Sequence, residues 1–365
     1  MRSGPALENL VSAVEGVCRS GLEPAALRAE VLPRLRRAVP IDALWWATVD
    51  PATLLFTQAY REEIPESTGP YFVENEFLCD DVNKWTEVAR VRGGVRTLLE
   101  ATGGRPAASA RYRDVFEPLG LEDELRAVLG TRGNVWGFLC LHRESGSRFT
   151  SAEAALIRRL APILAEGMRL GLLVQSSQTD RVDGPGLVLL AGDGSMISAN
   201  LAAEHWLKEL RGPTDTDLPI EIRALAARLR DGRRHDPRAR HLRVRTRAGR
   251  WAVLHASSMT ASDQDAVAVI IEEATPEQLA PIVMNAYGLT DQERTLAGLV
   301  FQGCSTAEVA ARLRITEHTV QDHLKSIFEK TGVRSRRELV ATVLKQRYLP
   351  RAKAGERVGA CGYFA

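Results

Sequence analysis

The first 173 residues carry hydrophobic patterns of two different periods. Near the N-terminus, apolar side chains recur every three or four positions, which predicts the buried face of a helix; they are Leu7, Leu10, Val11, Val14 and Val17. Three apolar runs then predict strands, at 43–50, 53–60 and 134–144. Thr150 and Glu153 form a capping box that begins a long helix. This order predicts an α+β domain over residues 1–173, whose closing helix is a candidate dimer contact.

A second α+β domain is predicted after a linker. Residues 174–186 are polar and rich in turn formers, and strand-like runs with one helical stretch follow over 187–274. Short glycine turns join these runs, so we expect an antiparallel sheet with helices on one face. The alternating run HLRVRTR places three arginines on one face, Arg243, Arg245 and Arg247. We expect that face to be solvated, with contact to an anion or to DNA as the alternative.

From Thr275 onward the pattern is helical. Residues 275–288 predict a connecting helix, and 289–350 predict an all-α domain of four short helices. Their starts are marked by Thr316 as an N-cap and by three capping boxes, Thr290–Glu293, Ser305–Glu308 and Ser335–Glu338. Helices this short leave room for one core, for which we predict Leu296, Leu299, Val300, Val309, Leu313, Ile315, Val320, Leu324, Ile327, Leu339 and Val343. Residues 351–365 are a tail without a predicted element.

The helix that begins after Thr316 has two contrasting faces. Its apolar positions share one face and are Val320, Leu324, Ile327 and Phe328. Its polar positions share the opposite face and are His318, Gln321, Asp322, Lys325 and Glu329. A short break at 314–316 separates this helix from the one before. That is the layout of a helix-turn-helix whose second helix enters the major groove, although a solvated helical bundle carries similar charge stripes.

The residue types on the polar face suit the edges of DNA bases. Glutamine pairs with adenine, lysine reaches guanine, and aspartate accepts from cytosine. The candidate base contacts are therefore Gln321, Asp322 and Lys325. Side chains at helix starts and ends suit phosphates, and the candidates there are Thr319, Lys330, Arg334, Ser335 and Arg336.

The charge distribution agrees with a polyanion-binding C-terminus. The 365-residue chain has a net charge of +2, whereas residues 289–357 hold 13 Lys and Arg against 8 Asp and Glu. No apolar run approaches the ~18 residues that span a bilayer, and the N-terminal sequence does not match a secretion signal. The cysteines are scattered as reduced thiols would be; they are Cys18, Cys79, Cys140, Cys304 and Cys361. We therefore expect a cytoplasmic protein.

The C-terminal sequence resembles the LuxR-type helix-turn-helix family. The resemblance is carried by three motifs over about sixty residues, LTDQE (289–293), GCSTAEVAARLRITEHTVQDHL (303–324) and KTGVRSR (330–336). It implies that Gln321, Asp322 and Lys325 face the bases, and that the residues near phosphates are Thr319, His323 and Lys330. The chain departs from the family where many members have lysine and it has Gln321, and it adds Asp322. Both changes lower the attraction to phosphate and point to a particular base preference.

The two upstream segments resemble sensor domains. VWGFLCLHRESGSRFTSAEAALIRRLAPILA (135–165) is similar to the last strand, turn and closing helix of a GAF domain. GLVLLAGDGSMISAN (186–200) is similar to the opening hairpin of a PAS domain. The resemblance implies that a small ligand or a partner is sensed. Candidate pocket residues in the GAF-like domain are Trp45, Trp46, Trp136 and Cys140, although aromatic side chains on strands usually belong to the core.

These features together predict a dimeric, DNA-binding transcriptional regulator that responds to a small molecule or a partner, with RNA polymerase as a candidate partner. The alternative is that the upstream domains bind no ligand and act only as dimerisation or protein-interaction platforms. Nucleotide-binding loops, haem-attachment motifs and metal-ligand spacings do not occur in the sequence. The common hydrolase motifs are also absent, so we expect no cofactor, no metal site and no enzymatic activity.

Overall fold

The computed structural model describes residues 4–173, 184–211, 217–231, 240–261 and 264–340. The chain forms two compact units, one within residues 1–174 and 182–273 and the other mainly within 274–365. Most of the predicted linker at 174–186 and all of the predicted tail at 351–365 lie outside the described residues. Among the described helices, none combines the length and the apolar composition needed to cross a membrane.

The first unit contains two five-stranded sheets, and the first has the strand order β2-β1-β5-β4-β3. Its strands are β1 (Ala43–Val49), β2 (Phe56–Glu62), β3 (Val95–Thr97), β4 (Leu121–Thr131) and β5 (Asn134–Glu144). Antiparallel pairing of β1 with β5 sets Trp45 opposite Cys140 and Trp46 opposite Leu139. Because side chains alternate along a strand, Trp45 and Cys140 share one face of the sheet, and Trp46 lies on the other.

Helices cover both faces of this first sheet. The helices are α1 (Gly4–Arg19), α2 (Pro24–Arg36), α3 (Gly69–Phe77), α4 (Trp85–Val88), α5 (Leu98–Thr102) and α6 (Ser151–Leu172). α6 packs on β4 and β5 and is itself covered by α1 and α2. Gly137 permits this approach, because a Cβ atom there would collide with Met168. On the other face, α3 and α4 bring Phe72 and Trp85 to Trp45, with ring centroids 5.1 and 6.0 Å away.

The second sheet has the order β7-β6-β10-β9-β8 and is also antiparallel. Its strands are β6 (Gly186–Leu190), β7 (Met196–Ala199), β8 (His241–Arg245), β9 (Trp251–Ala261) and β10 (Gln264–Glu273), and its helices are α7 (Leu201–Leu210) and α8 (Ile220–Arg230). α8 packs on β8, β9 and β10 of its own sheet. It also packs on α3 and β2 of the first α+β part. One hydrophobic cluster therefore includes Trp45 and Phe72 as well as Trp206 and Ile222. The two α+β parts share this core.

The expected solvated face is wrong for Arg243 and Arg245 on β8, whereas Arg247 follows the end of the strand and is exposed as expected. Arg243 is 8% exposed, and its Nη1 atom donates to Oδ2 of Asp50 at 3.1 Å. Arg245 donates through Nη2 to Oε1 of Glu23 at 2.9 Å. Both acceptors belong to the first α+β part, against which β8 lies through its contact with β2. The alternating pattern correctly placed Arg243 and Arg245 on one face of β8, but it carried no information about what covers that face.

The second unit consists of helices, which are α9 (Pro276–Ala286), α10 (Asp291–Phe301), α11 (Thr306–Leu313) and α12 (Glu317–Thr331), with a further helical stretch at 336–340. The capping boxes at Thr290 and Ser305 are both formed. The predicted core is confirmed at seven buried positions, Leu296, Val300, Val309, Val320, Leu324, Ile327 and Leu339. Three more predicted residues are partly buried against it, Leu299, Leu313 and Ile315. Val343 lies outside the described residues.

Candidate nucleic-acid interface

A tight break between α11 and α12 sets the geometry of the candidate interface. α11 ends at Leu313, and the next residue, Arg314, adopts the left-handed backbone conformation with φ 56°. Few non-glycine residues adopt this conformation. At Arg314 it ends the helix and turns the chain within a single residue. The N–H of Ile315 donates to the carbonyl of Ala310 at 3.1 Å, and Oγ1 of Thr316 accepts from the N–H of Thr319 at 3.1 Å. The break is therefore closed by its own hydrogen bonds.

One face of α12 anchors the helix in the core. Val320 and Ile327 are fully buried and Leu324 is 5% exposed. They pack in one hydrophobic cluster with residues of α10 and α11, including Leu296 and Val309. At roughly 2 kcal/mol for each large apolar side chain removed from water, this burial fixes which side of α12 faces inward. The predicted inward face is confirmed.

The opposite face of α12 is polar and open to solvent. Gln321, Asp322, Lys325 and Glu329 are all exposed. The His318 imidazole lies 3.7 Å from the Asp322 carboxylate, and their side chains are 88% and 67% exposed. A contact this exposed is worth little and is easily exchanged for other partners. The three candidate base contacts therefore lie together, accessible, on successive turns of one helix.

The candidate phosphate contacts differ in how they are engaged. Arg334 is exposed, whereas Thr319, His323, Ser335 and Arg336 are half-buried. The hydroxyls of Thr319 and Thr316 lie 2.8 Å apart at the start of α12. Oγ of Ser335 accepts from the N–H of Glu338 at 3.1 Å, as an N-cap should.

Two of the candidate phosphate contacts have partners inside the domain. Nη2 of Arg336 donates to the carbonyl of Cys304. Nζ of Lys330 donates to both carboxylate oxygens of Glu293, at 2.6 and 2.7 Å. In this conformation both side chains tie helices of the domain to one another. Their role at phosphates stays a prediction.

Glu293 is a buried carboxylate that accepts hydrogen bonds from the start of α10 and from α12 in the core of the domain. It is 4% exposed and also accepts from Oγ of Ser326 and from the N–H of Thr290, both at 2.7 Å. Burial by itself would raise the pKa of this carboxyl, but the hydrogen bonds from Lys330, Thr290 and Ser326 outweigh it and lower the pKa to about 2. The charged form is thus strongly favoured in the folded domain. The sequence identified Glu293 only as a capping residue.

The candidate pocket residues of the first sheet are buried. Trp46 is 4% exposed and points its Nε1 at Sδ of Met168 on α6, 3.5 Å away. Trp136 is 1% exposed, and Cys140 lies in the core with its Sγ 3.1 Å from Oε1 of Glu124. Trp45 is 6% exposed, and it also lines a cavity of about 120 Å³. These positions are core, and Trp45 is also part of a cavity wall.

Sequence reasoning missed a buried charge network beside that cavity. Glu124 accepts from Nη2 of Arg111 at 2.8 Å and from Nε of Arg126 at 3.0 Å. Nη1 of Arg126 also donates to Glu76 at 2.8 Å. Although burial opposes ionisation, the two guanidinium groups lower the pKa of Glu124 far below its ordinary value. The only sign of this network in the sequence is that Glu124 and Arg126 alternate along β4. Such alternation of charged residues is the usual pattern of a strand face exposed to solvent.

Comparison with known proteins places the second unit in a family. Residues 288–343 match the profile of the bacterial regulatory proteins of the luxR family. The DNA-binding transcriptional activator DevR/DosR of Mycobacterium tuberculosis is 39% identical over 61 residues, which are 16% of this chain and 28% of that protein. The spore germination protein GerE of Bacillus subtilis is 37% identical over 57 residues, 16% of this chain and 77% of that protein. The match to the mycobacterial activator thus spans little more than a quarter of its length.

A solved structure of Escherichia coli SdiA covers 89% of this chain and 92% of its own, at 15% identity and a TM-score of 0.27. That likeness is too weak to establish a common fold. The match to most of the Bacillus protein, together with the capped helices and the exposed polar face of α12, leads to one conclusion: this chain belongs to the luxR family of bacterial regulatory proteins.

Proposed function

We propose that this chain is a sequence-specific DNA-binding transcriptional regulator and that α12 is its recognition helix. The observation that carries the proposal is the two-sided character of α12. Val320, Leu324 and Ile327 hold one side in the core, while Gln321 and Lys325 stand exposed on the other. A helix fixed in this way can enter the major groove while its buried face stays packed in the core.

In the proposed complex the exposed residues of α12 have separate tasks. Lys325 donates to guanine, Gln321 makes paired hydrogen bonds with adenine, and Asp322 accepts from the amino group of cytosine. Arg334 and the Thr319 hydroxyl contact the phosphates beside the groove. The N-termini of α11 and α12 add backbone N–H groups that favour anions. The phosphate contacts give affinity to any duplex, and the base contacts give preference for one sequence.

The proposed assembly is a cytoplasmic homodimer on two half-sites, which brings two copies of α12 to successive major grooves. The upstream parts act in this proposal as GAF-like and PAS-like sensors. A signal there shifts the population of dimers whose recognition helices match the operator spacing. Complete switching requires a difference in affinity of about 5.5 kcal/mol between the two states. RNA polymerase is the proposed partner of the DNA-bound form.

Selection from a random duplex library tests the central proposal. The full chain should enrich one sequence motif, and Lys325→Ala should lose the preference at one base pair at a cost of ~1 to 3 kcal/mol. Arg312→Ala removes the same charge from the exposed surface of α11 and serves as the matched control. It should keep the wild-type motif. If the wild-type chain enriches no motif, or if both variants keep it fully, α12 does not read bases through Lys325.

The alternative is that the upstream parts bind no ligand and serve as dimerisation or protein-interaction platforms. The shared hydrophobic cluster of the two sheets and the buried bond between Arg243 and Asp50 suit a rigid platform. The cavity beside Trp45 favours a sensor instead. A direct binding measurement on that cavity separates the two functions.

A further inference from the structure

One side of the second sheet is apolar and open to solvent. Within the described part of the chain, every large hydrophobic side chain that is exposed belongs to this sheet or to the first residue of α7. These side chains are 42% to 83% exposed, and they are Leu187, Met196, Ile197, Leu201, Met259 and Ile270. Single apolar residues on a surface are ordinary, but a contiguous apolar patch marks an interaction site.

Strand pairing joins these residues into one patch. Leu187 of β6 pairs with Ile270 of β10, and Leu189 pairs with Ala268. Because paired residues and alternate residues point to the same side of a sheet, these four share one face. β9 continues that face beyond β10. We call it the open face, and its residues on the three strands are Leu187, Leu189, Ser257, Met259, Ala268 and Ile270.

The same side of the sheet is already a packing surface at its β8 end. Arg243 of β8 pairs with Val253 of β9, and both lie on this side. Val253 is 1% exposed and Arg243 is bonded to Asp50, so the first α+β part covers this end of the sheet. The open face continues directly from that interface, and its large side chains on β6 and β10 remain about half exposed.

The composition of these strands excludes a polyanion as the partner of the open face. β6, β7, β9 and β10 contain no lysine or arginine. DNA and anionic membranes bind surfaces that carry such residues. Glu272 lies at one end of the open face, where its Oε1 atom is 3.3 Å from Nε2 of His255. The patch between that end and Met259 is uncharged, so it suits an apolar, uncharged partner surface.

A second copy of this chain provides such a surface. In a two-fold symmetric contact the same patch is used on both copies, so a central charge would meet its own counterpart. The open face has no charge, and two copies can bury it without that repulsion. Chain order also favours a second copy, because only Ala274 and Thr275 separate β10 from α9. Two copies joined at β10 bring the starts of their helical units near each other, as binding to two half-sites requires.

The closing helix α6, which the sequence made a candidate dimer contact, is less available. It packs on β4 and β5 and is covered by α1 and α2. Eleven of its 22 residues are buried within one chain, and none of its large apolar side chains is exposed. On its outer side Ala155 is exposed, and Arg159 is paired with Glu8 of α1. The open face therefore offers more apolar surface to a second copy than α6 does.

From these observations we propose that the open face is the contact between two copies of this chain, formed by β6, β9 and β10 of each around a two-fold axis. The proposal deepens the homodimer proposed above and rests on it. Side chains that are half exposed in the single chain become buried in the pair, which removes apolar surface from water.

Sedimentation velocity on the full chain over a range of concentrations measures the contact. We expect a monomer–dimer equilibrium for the wild type. Leu187→Glu and Ile270→Glu each place a charge where it would be buried against the partner, and each should raise the dissociation constant of the dimer at least ~30-fold. Both positions are on the surface of the single chain, so the circular dichroism spectrum of the monomer should not change. Ala155→Glu adds the same charge to the outer side of α6 and serves as the matched control, with an unchanged dissociation constant.

Hydroxyl-radical footprinting of the wild-type chain gives a second test that needs no variant. Raising the concentration through the dimerisation range should reduce labelling of Met259 and Ile270. Labelling of Cys79, which is exposed in the first α+β part, should stay constant.

Three outcomes overturn the proposal: a chain that is monomeric at every concentration, a dimer that both glutamate variants leave intact, and a dimer that Ala155→Glu dissociates. Weak labelling of Met259 in a monomeric chain also overturns it, because another segment of the same chain then covers the open face. A dimer that survives both glutamate variants leaves the proposed homodimer standing and removes only this contact. The Lys325→Ala selection depends on α12 alone, so the DNA-binding proposal can fail or stand separately.

Discussion

Replacing Glu293 with glutamine tests whether the helix-turn-helix depends on one buried carboxylate. The carboxylate joins the start of α10 to Ser326 and Lys330 near the end of α12. Glutamine has nearly the same shape but no charge, and its amide group places a donor where a carboxylate oxygen accepted. The substitution therefore weakens the link between two helices without opening a cavity.

The expected cost follows from these contacts. A hydrogen bond to a charged group contributes a net ~1.5 to 3 kcal/mol. The glutamine oxygen retains part of this, and the Lys330 side chain, 31% exposed, can be solvated when its partner is lost. We expect the free energy of unfolding of the domain to fall by about 2 kcal/mol, which is roughly 30-fold in the opening equilibrium.

Amide hydrogen exchange on the full chain measures this locally. Peptides from α10 and α12 should exchange about 30-fold faster in Glu293→Gln, while peptides from β5 should be unchanged. Asp291→Asn is the matched control, since it removes a charge from the same turn of α10 where the side chain is 92% exposed. It should have little effect. Equal protection in the two variants would refute the view that Glu293 holds these helices together.

The pH dependence adds an independent check. The pKa of Glu293 is lowered from an ordinary 4.5 to about 2. Its contribution to stability is therefore complete above pH 4.5 and is lost as the pH falls toward 2. The stability difference between the wild-type chain and Glu293→Gln should narrow over that interval. A difference that stays constant down to pH 2 would contradict the electrostatic explanation.

Three further predictions concern separate parts of the chain. Thr316→Ala removes the acceptor for the N–H of Thr319 and should cost ~1 kcal/mol, seen as faster amide exchange in the first turn of α12. Arg334→Ala should reduce the slope of log affinity for DNA against log salt by about one without changing sequence preference, and an unchanged slope would exclude a phosphate contact. Burial lowers the pKa of His142 from 6.5 to about 4, so the unfolded chain takes up a proton first and the first unit should lose stability as the pH falls from 6.5 toward 4. His142→Phe should remove the loss of thermal stability between pH 6.5 and 4. An unaltered pH profile in this variant would contradict the assignment of that loss to His142.

Elements with strong local signals were predicted closely. The strand at 134–144 has the expected bounds, and the boxes at Thr290 and Ser305 cap their helices. By contrast, β4 and α8 were not predicted. In β4 the charges of Glu124 and Arg126 interrupt the apolar run, although both side chains are fully buried. Sequence propensity and periodicity place such charges on an exposed face. Their burial in β4 is explained only by the charged partners that the fold brings to them.

The sequence by itself determined the two faces of α12, the break before it and the family to which the last domain belongs. Caps and amphipathic faces depend on residues within a turn or two of each other, so a linear pattern contains them. Only the tertiary structure decided that Lys330 is held by Glu293, that Arg243 bonds to Asp50, and that His142 lines a cavity. The first two pairs are 37 and 193 positions apart. The energy of a buried charge depends on which partner the fold brings within 3 Å or so of it, and that distance is set by packing rather than by sequence spacing.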